Sequence, residues 1–338
     1  MADLSDLIAQ LPKTELHIHI EGSLEPAMVM ALAARNGVTL PYQSADELAA
    51  LYDFDNLQSF LDLYYQATDV LQTEQDFFDL TWAYLERCAA DRVVHTEIFF
   101  DPQSHTSRGV SFGSVIGGIT AALAKGESEL GISNQLIMCF LRHLPEEDAL
   151  ATWAMAQPYL AQIAGVGLDS SEHGFPPELF QRVFAKAKAA GLKCVAHAGE
   201  EGPAEYIEQA LDLLHVDRID HGVRITESEA LMTRAVDDNM ALTVCPLSNV
   251  RLCVYPNMAD HPLLALLDRG LRVMINSDDP AYFGGYLNRN YAAVAEALQP
   301  TAAQLIQLVK NSFLASFLPA EQQQHWLAEV DRISASLS

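Results

Sequence analysis

The sequence predicts a (β/α)₈ barrel, because short apolar runs alternate with amphipathic helical stretches and eight such runs are present. The runs expected to form strands are Glu15–Ile20, Val93–Phe100, Gln135–Leu141, Gly165–Leu168, Leu192–Ala196, Arg218–Asp220, Ala241–Val244 and Leu271–Asn276. Residues typical of helix boundaries separate them, such as Pro176-Pro177 before one helix and Gly191 after it. A doubly wound open sheet would also satisfy this alternation.

The segment between the first two runs is too long for one crossover, at about 70 residues against the usual 10–12 or somewhat more. Within it, Phe54–Thr68 and Glu74–Cys88 both show apolar residues at helical spacing. We therefore expect extra helices after the first strand, in an insertion at about 45–90. The whole chain, 1–338, is expected to form one barrel domain. For the helix at Phe54–Thr68, ordinary packing is the more frequent role, and a lid is the alternative.

The composition excludes one large class of functions. The 338 residues contain 45 acidic and 20 basic side chains, a formal net charge of −25. Because phosphate-rich surfaces are bound by lysine and arginine clusters, we expect neither a nucleic acid polymer nor a membrane as partner. Five widely spaced cysteines, the absence of a secretory signal pattern and the absence of a long apolar run predict a cytoplasmic protein with reduced thiols.

Ionisable residues stand where several predicted strands end. His17 and His19 lie at the first, His197 at the fifth, His221 at the sixth, and Asp278-Asp279 after the eighth. In βα barrels the chemistry is located at the carboxyl ends of the strands. Such groups are costly at the mouth of an apolar barrel unless they bind something.

Four of these residues predict a metal site. His17 and His19 are two apart on a strand, so both imidazoles point to the same face. Together with His197 and Asp278 they offer nitrogen and carboxylate ligands that suit Zn²⁺. A lone histidine at a strand end more often has a structural role, but four residues of ligand type at matching strand ends favour a metal site. The fourth strand ends without the lysine that bridges two metals, at Asp169-Ser170-Ser171-Glu172, and this favours one ion per chain.

Glu200 is the candidate general acid, three residues after His197. A glutamate at a helix start often serves only the helix dipole, but in a closed metal site it can be held protonated and deliver a proton. Its neighbour Glu201 is expected to face outward. The His95-Thr96-Glu97 triplet matches the H-x-E of zinc base deaminases, but no P-C-x-x-C follows, so we interpret His95 as a core residue.

At these residues the chain resembles the adenosine/adenine deaminase family of metal-dependent hydrolases. The matching stretches occur in family order and are LPKTELHIHIEGSLEP from Leu11, AHAGEEGP from Ala196, RIDHGVR from Arg218, TVCPLSNV from Thr243 and INSDDPAYFGGY from Ile275. Each short motif is weak alone, and the set is highly specific. The resemblance implies hydrolytic deamination of a purine by one zinc ion per chain.

The resemblance also implies residue roles. His17, His19, His197 and Asp278 would hold the zinc, and zinc-activated water would attack purine C6. Glu200 would protonate N1, His221 would orient and help activate the water, and Asp279 would hydrogen-bond N7. The tetrahedral adduct would then release ammonia.

Adenine is the purine expected, since DHGVR, PLSNV and SDDPAYFGGY resemble the adenine deaminases. Nucleoside enzymes typically carry Asp where this chain has Glu21, and Gly near Ser171. We expect Glu21 and the Tyr282-Phe283 pair to reduce the space for a sugar. An N6-substituted adenine and adenosine are the alternatives; a different C–N bond on the same barrel, or non-catalytic purine binding, are alternatives from other classes. The partner expected is a small purine base, with homo-oligomerisation open.

Overall fold

In the computed structural model, which describes residues 4–337, eight parallel strands form one sheet in the order β1 to β8. The strands are β1 Lys13–His19, β2 Val93–Phe100, β3 Ser133–Leu141, β4 Gly165–Asp169, β5 Lys193–Ala198, β6 Arg218–His221, β7 Ala241–Val244 and β8 Arg272–Ile275. A parallel bridge between Ile18 and Asp278 brings the chain after β8 back to β1. The order is that of a (β/α)₈ barrel, so the predicted fold class is confirmed.

Helices surround the sheet. They are α1 Leu4–Gln10, α2 Pro26–Asn36, α3 Ala45–Ala49, α4 Leu57–Thr68, α5 Glu74–Ala90, α6 Pro102–Thr106, α7 Phe112–Leu130, α8 Glu146–Ala156, α9 Gln181–Ala189, α10 Ala204–Asp212, α11 Glu229–Asp237, α12 Pro246–Arg251, α13 Leu263–Asp268, α14 Pro280–Phe283, α15 Leu287–Leu298, α16 Ala302–Ala315 and α17 Ala320–Leu337. Short 3₁₀ turns occupy Glu21–Ser23, Gln157–Gln162, Pro177–Phe180, Val223–Glu227 and Met258–Asp260. None of the helices between residues 4 and 337 has the length and apolar character needed to cross a bilayer.

Four helices, α2 to α5, lie between β1 and β2, which confirms the prediction of extra helices after the first strand. Two of them begin with reciprocal capping boxes, because the side chains of Asn56 and Thr73 accept hydrogen bonds from the backbone N–H groups three residues on. The predicted strands agree with the observed ones to within two residues at each end. Helix α2 lies before the predicted insertion at about 45–90 and was not predicted.

The end of the barrel opposite the predicted site contains a buried ion pair. Arg218 on β6 donates to Glu97 on β2 at 2.6 Å and to the carbonyl oxygen of Leu16 on β1 at 2.9 Å. Both charged side chains are fully buried. His95 is buried here as well, with Nδ1 2.9 Å from Ser133 and Nε2 3.2 Å from Glu97. The interpretation of His95 as a core residue is therefore confirmed.

Candidate active site

The predicted site residues converge at the carboxyl ends of the strands, on the walls of one narrow cavity. Nine polar residues line it, namely His19, Asp101, Asp169, Ser170, His197, Glu200, His221, Asp278 and Asp279. Its cover is apolar and aromatic, and most of it comes from one face of helix α4, with Leu57, Phe60, Leu61, Tyr64 and Tyr65. Helix α4 therefore closes the mouth of the barrel, the role that the sequence left as the alternative to packing.

The imidazoles and the Asp278 carboxylate lie within ligand distance of one another. His19 Nε2 is 3.1 Å from His197 Nε2 and 3.4 Å from Asp278 Oδ1, and His17 Nε2 is 3.2 Å from the same oxygen. One nitrogen each from His17, His197 and His221 and one Asp278 oxygen all lie within 4.8 Å of each other. The structure thus brings together all four residues of the predicted ligand set, with His221 beside them.

The remaining nitrogen of each predicted histidine ligand faces an oxygen that orients its ring. Thr243 donates to Asp220 at 2.8 Å, so its hydroxyl oxygen is free to accept the Nδ1–H of His17 at 2.9 Å. Nδ1 of His19 is 3.5 Å from Asp169, and Nδ1 of His197 is 3.7 Å from Asp220. Carboxylates behind histidine ligands are the usual device that directs the other ring nitrogen at a metal.

This donor set fits a divalent cation. The two facing Nε2 atoms of His19 and His197 repel each other unless a proton or a cation lies between them. His17 Nε2 makes no well-aligned hydrogen bond among residues 4–337, although it is 3.2 Å from Asp278 Oδ1. Burial and the neighbouring histidines lower the pKa of His197 well below its usual value, so its lone pair is available. Although burial favours the neutral acid, the nearby histidines hold the pKa of Asp278 well below normal. Neutral imidazoles and an ionised carboxylate are the forms that bind zinc.

Glu200 lies at the cavity wall, held there by another glutamate. The fully buried Glu172 carboxylate accepts the backbone N–H groups of Gly199, Glu200, Glu201 and Gly202 at 2.6 to 3.0 Å. Burial and the charge of Asp278 raise the pKa of Glu200 well above its usual value. The side chain is therefore suited to hold a proton near neutral pH and release it to a base.

His221 and Asp279 also line the cavity, together with Asp278. Burial and His17 lower the pKa of His221 to about 3, so this imidazole is neutral, and its Nε2 is 3.5 Å from Glu200 Oε2. Burial and Asp278 raise the pKa of Asp279 well above normal. Asp279 Oδ1 has no hydrogen-bond partner within the described range, 4–337. As a protonated carboxyl it can donate to a ring nitrogen.

Three residues of the site have left-handed backbone conformations. Ser170, His221 and Asp278 have φ of 75°, 59° and 64° and stand at or after the ends of β4, β6 and β8. Each such residue costs on the order of 1–3 kcal/mol, and strain of this kind accumulates where function requires it. The three turns aim side chains into the barrel mouth.

Three sequence expectations about the sugar-facing side are not reproduced by the geometry of the cavity. Glu21 is buried outside the lining, and its Oε1 accepts from His105 at 2.8 Å. Ser171 donates to Gln58 at 2.8 Å on the outer rim, and its neighbour Ser170 lines the cavity instead. Tyr282 and Phe283 pack beneath α4 rather than on the wall. Glu201, which was expected to face outward, lies outside the lining and accepts the Leu57 N–H at 2.8 Å.

Sequence reasoning missed several residues that the structure places at the site. Asp101 directly follows β2 and Asp169 ends β4, so the rule of strand ends that found the histidines could have found them too. Ser170 receives contacts at 2.7 Å from both Tyr65 and His143. No sequence signal points to Glu172. Its partners are four backbone N–H groups, and these do not depend on which side chains the loop carries.

Several known proteins are similar to this chain over nearly its full length. A family model described as adenosine deaminase matches residues 12–333. The chain is 59% identical to the adenine deaminase of Zymomonas mobilis, covering 98% of each protein, and 56% identical to that of Hahella chejuensis, covering 97% of this chain and 98% of the relative.

Two solved structures are also similar. The crystal structure of adenine deaminase from Arthrobacter aurescens is 50% identical with a TM-score of 0.94, covering 95% of this chain and 98% of that one. An amidohydrolase from Burkholderia ambifaria with bound Zn is 28% identical with a TM-score of 0.90, covering 99% and 94%. With a strand-end histidine and aspartate cluster, a matching family model and relatives of this identity over nearly the full length, the chain belongs to the adenosine deaminase family.

Proposed function

We propose that this enzyme hydrolyses adenine to hypoxanthine and ammonia with one zinc ion per chain, as a step of purine salvage. The observation that carries the proposal is the buried cavity in which Glu200, His221 and Asp279 surround a cluster of metal-ligand type. The names of the relatives at 56–59% identity support adenine as substrate. The zinc in the Burkholderia ambifaria structure supports the choice of metal.

His17, His19, His197 and Asp278 are the residues that would hold the zinc. When bound, zinc supplies Lewis-acid chemistry that makes water nucleophilic near neutral pH. The neutral His221 imidazole, 3.5 Å from Glu200, would accept a hydrogen bond from the attacking water and orient it toward C6. Loss of the water's proton and addition of its oxygen to C6 convert the ring carbon from trigonal to tetrahedral.

The chain's own acids then move and hold protons on the purine. Glu200 gives its proton to N1, which neutralises the charge that develops on the ring as oxygen adds to C6. Asp279, protonated in its buried position, donates a hydrogen bond to N7. The proton that the water lost passes through His221 to the amino group, and the C6–N bond breaks with its electron pair leaving on ammonia. The C6 hydroxyl gives its proton back to Glu200, and hypoxanthine remains. Helix α4 covers this region and excludes bulk water from it.

Ammonia release from a panel of adenine, adenosine, AMP and N6-methyladenine is the experiment that tests this assignment. We expect rapid conversion of adenine to a product with the ultraviolet spectrum of hypoxanthine. Rapid release of methylamine from N6-methyladenine, or faster turnover of adenosine, would replace adenine by those substrates. No turnover of any purine would favour a different C–N bond or purine binding without catalysis.

Metal content is a separate check. We expect about one zinc per chain by elemental analysis, and we expect chelation to abolish deamination and zinc to restore it. Two zinc ions per chain would contradict the mononuclear site.

The five cysteines, none in a disulfide and four of them buried, support the further proposal of a reducing, cytoplasmic location. The partner that we propose is a small purine base, and the proposal leaves open whether the enzyme forms homo-oligomers.

A further inference from the structure

One wall residue of the cavity has no part in the mechanism above. Asp101 follows β2, is only 3% exposed and lines the cavity. Its Oδ1 has no hydrogen-bond partner in the stretch from residue 4 to residue 337. A buried acceptor without a partner is costly, so this oxygen is a candidate for a ligand contact.

The position of Asp101 in its own element makes the orientation of its side chain notable. Asp101 precedes helix α6 at the N-cap, where an aspartate normally accepts a hydrogen bond from the first turn of the helix. Here the side chain makes no such bond and lines the cavity instead. Helix capping therefore does not explain why an aspartate stands at this position.

A chain of buried hydrogen bonds fixes the backbone of Asp101. Its N–H donates to Glu21 Oε1 at 3.2 Å, and the same oxygen accepts Nε2–H of His105 at 2.8 Å. Arg108 donates to the other nitrogen of His105 at 2.8 Å, which sets the tautomer with the proton on Nε2. Glu21 thus supports Asp101 from behind the cavity wall.

The order of the strands around the barrel relates Asp101 to a particular edge of the purine. Passing from β8 through β2 and β4 to β5, the wall presents Asp279, Asp101, Asp169 and Glu200 in turn. The perimeter of adenine, read from N7 toward N1, presents N7, N9, N3 and N1. With Asp279 at N7 and Glu200 at N1, as the proposed function has them, the wall residue next to N9 is Asp101.

We propose that Asp101 accepts the N9–H of the purine and thereby selects the free base over nucleosides and nucleotides. This inference rests on the proposed function, which sets the orientation of the ring. Adenine carries a proton at N9 or N7, and the N9–H form leaves N7 free to accept from Asp279. In a nucleoside the N9 proton is replaced by a sugar carbon. The Asp101 oxygen would then be buried without a partner, and the sugar would press against the carboxyl group. Asp169 is less suited to this contact, because the order around the barrel places it next to N3, which has no proton to donate in the N9–H form.

A comparison of adenine with 9-methyladenine tests the proposal, because the methyl group replaces only the N9 proton. For the zinc-loaded wild type we expect kcat/KM to be roughly 100-fold or more higher for adenine, since sites built to hydrogen-bond a substrate strongly reject analogues that lack the donor. Asp101→Ala should lower kcat/KM for adenine by about 10- to 100-fold. The same variant should leave 9-methyladenine unchanged or faster, so that the preference largely disappears.

Asp101→Asn keeps the size and one acceptor oxygen of the side chain, so it should retain most of the contact with N9–H that Asp101→Ala loses. We expect a loss of at most roughly tenfold on adenine and little change on 9-methyladenine. Asp237→Ala, at an exposed position on α11, is the control and should leave both values as in the wild type. Thermal unfolding of each variant checks that the barrel is intact.

The outcomes are distinct. An equal fall for both substrates in both variants would give Asp101 a purely structural role and overturn the inference. Equal turnover of adenine and 9-methyladenine by the wild type would overturn it as well, while leaving adenine deamination established. Failure of the zinc-loaded wild type to release ammonia from adenine would contradict the proposed function itself.

Discussion

At the scale of single residues, the site depends on carboxyl groups held in different protonation states only a few ångströms apart. The histidine cluster keeps the pKa of Asp278 low, whereas burial and the charge of Asp278 keep the pKa values of Glu200 and Asp279 high. Pairs of acids with divergent pKa values are typical of sites that use one as a ligand and another as an acid. Glu172 positions the loop that carries Glu200, because its carboxylate accepts four backbone N–H groups of that loop.

Replacing Glu200 by glutamine tests the general acid. Glu200→Gln keeps the size of the side chain but cannot give up a proton, so kcat for adenine should fall by about 10²- to 10⁴-fold. Zinc content should stay near that of the wild type, since Glu200 is outside the proposed ligand set. Glu205→Gln, on the exposed first turn of α10, is the matched control. Near-normal activity in Glu200→Gln would show that another group protonates N1.

The pH dependence of kcat/KM should carry the same signature. Burial raises the pKa of Glu200, so its protonated form persists above the range of an ordinary carboxyl group. Because the acid form is the active one, activity should be retained through that range and decline on the alkaline side as Glu200 loses its proton. Initial rates with adenine between about pH 5 and pH 10 measure this limb. If kcat/KM instead fell only as the pH was lowered through the range of an ordinary glutamate pKa, and did not fall at alkaline pH, ionised Glu200 would be the active form.

At the scale of elements, the inserted helices bring the cover to the active site. Helix α4 places its aromatic face over the cavity, and Glu201 accepts the N–H of Leu57 in its first turn. Helix α5 supports this insertion and begins at a buried cap, where Asp76 accepts the backbone N–H groups of Gln72 and Thr73 at 2.9 and 2.8 Å. Asn36 at the end of α2 donates to the same carboxylate at 2.8 Å.

Asp76 should therefore stabilise the insertion as an ionised group. Although burial opposes it, these hydrogen bonds lower the pKa of Asp76 in the folded protein. The stabilisation is complete above the unfolded pKa and is lost as the pH falls through the lower folded pKa. Asp76→Ala should lower the free energy of unfolding by about 1–3 kcal/mol at neutral pH, as measured by urea titration. Asp46→Ala on the exposed face of α3 is the control. A difference that does not shrink below about pH 4 would contradict the ionised cap.

At the scale of the whole molecule, a buried ion pair joins strands that are distant from one another in the chain. The buried Arg218 and Glu97 tie β6 to β2, and Arg218 also reaches the backbone of β1. A buried charge that loses its partner is strongly destabilising. Asp220 connects this pair to the site, since its Oδ1 is 3.8 Å from Arg218 Nε and its Oδ2 is 3.7 Å from Nδ1 of the proposed ligand His197.

Arg218→Ala should therefore lower the free energy of unfolding by about 3–5 kcal/mol, because it removes the cationic partner of the buried Glu97 carboxylate. The exposed pair of Arg234 and Asp212, at 2.6 Å, is the contrast. Arg234→Ala should cost less than about 1 kcal/mol, since water replaces the lost contact. Denaturant midpoints of the two variants measure the difference. Similar midpoints would show that the buried pair contributes no more than a surface one.

Across these scales, the sequence predicted what repeats or stands out along the chain. Eight apolar runs predicted the barrel, and polar residues at their ends predicted His17, His197 and Asp278, because strand ends share one edge of the barrel. Contacts between distant segments left no such pattern. The position of α4 over the cavity could not be predicted without knowing where this helix packs. The contacts of Glu172 with the Glu200 loop could not be predicted either, because they involve backbone donors alone. Glu21 was predicted as a cavity residue, but its pairing with His105 holds it behind the wall.

The most direct test of the account compares kcat/KM for adenine and adenosine on the zinc-loaded enzyme, measured side by side as ammonia release. The narrow cavity under α4 and the proposed contact of Asp101 with N9–H both predict that adenine is preferred by roughly 100-fold or more. A preference for adenosine, or equal turnover of the two, would contradict the central claim that this barrel is built for the free base.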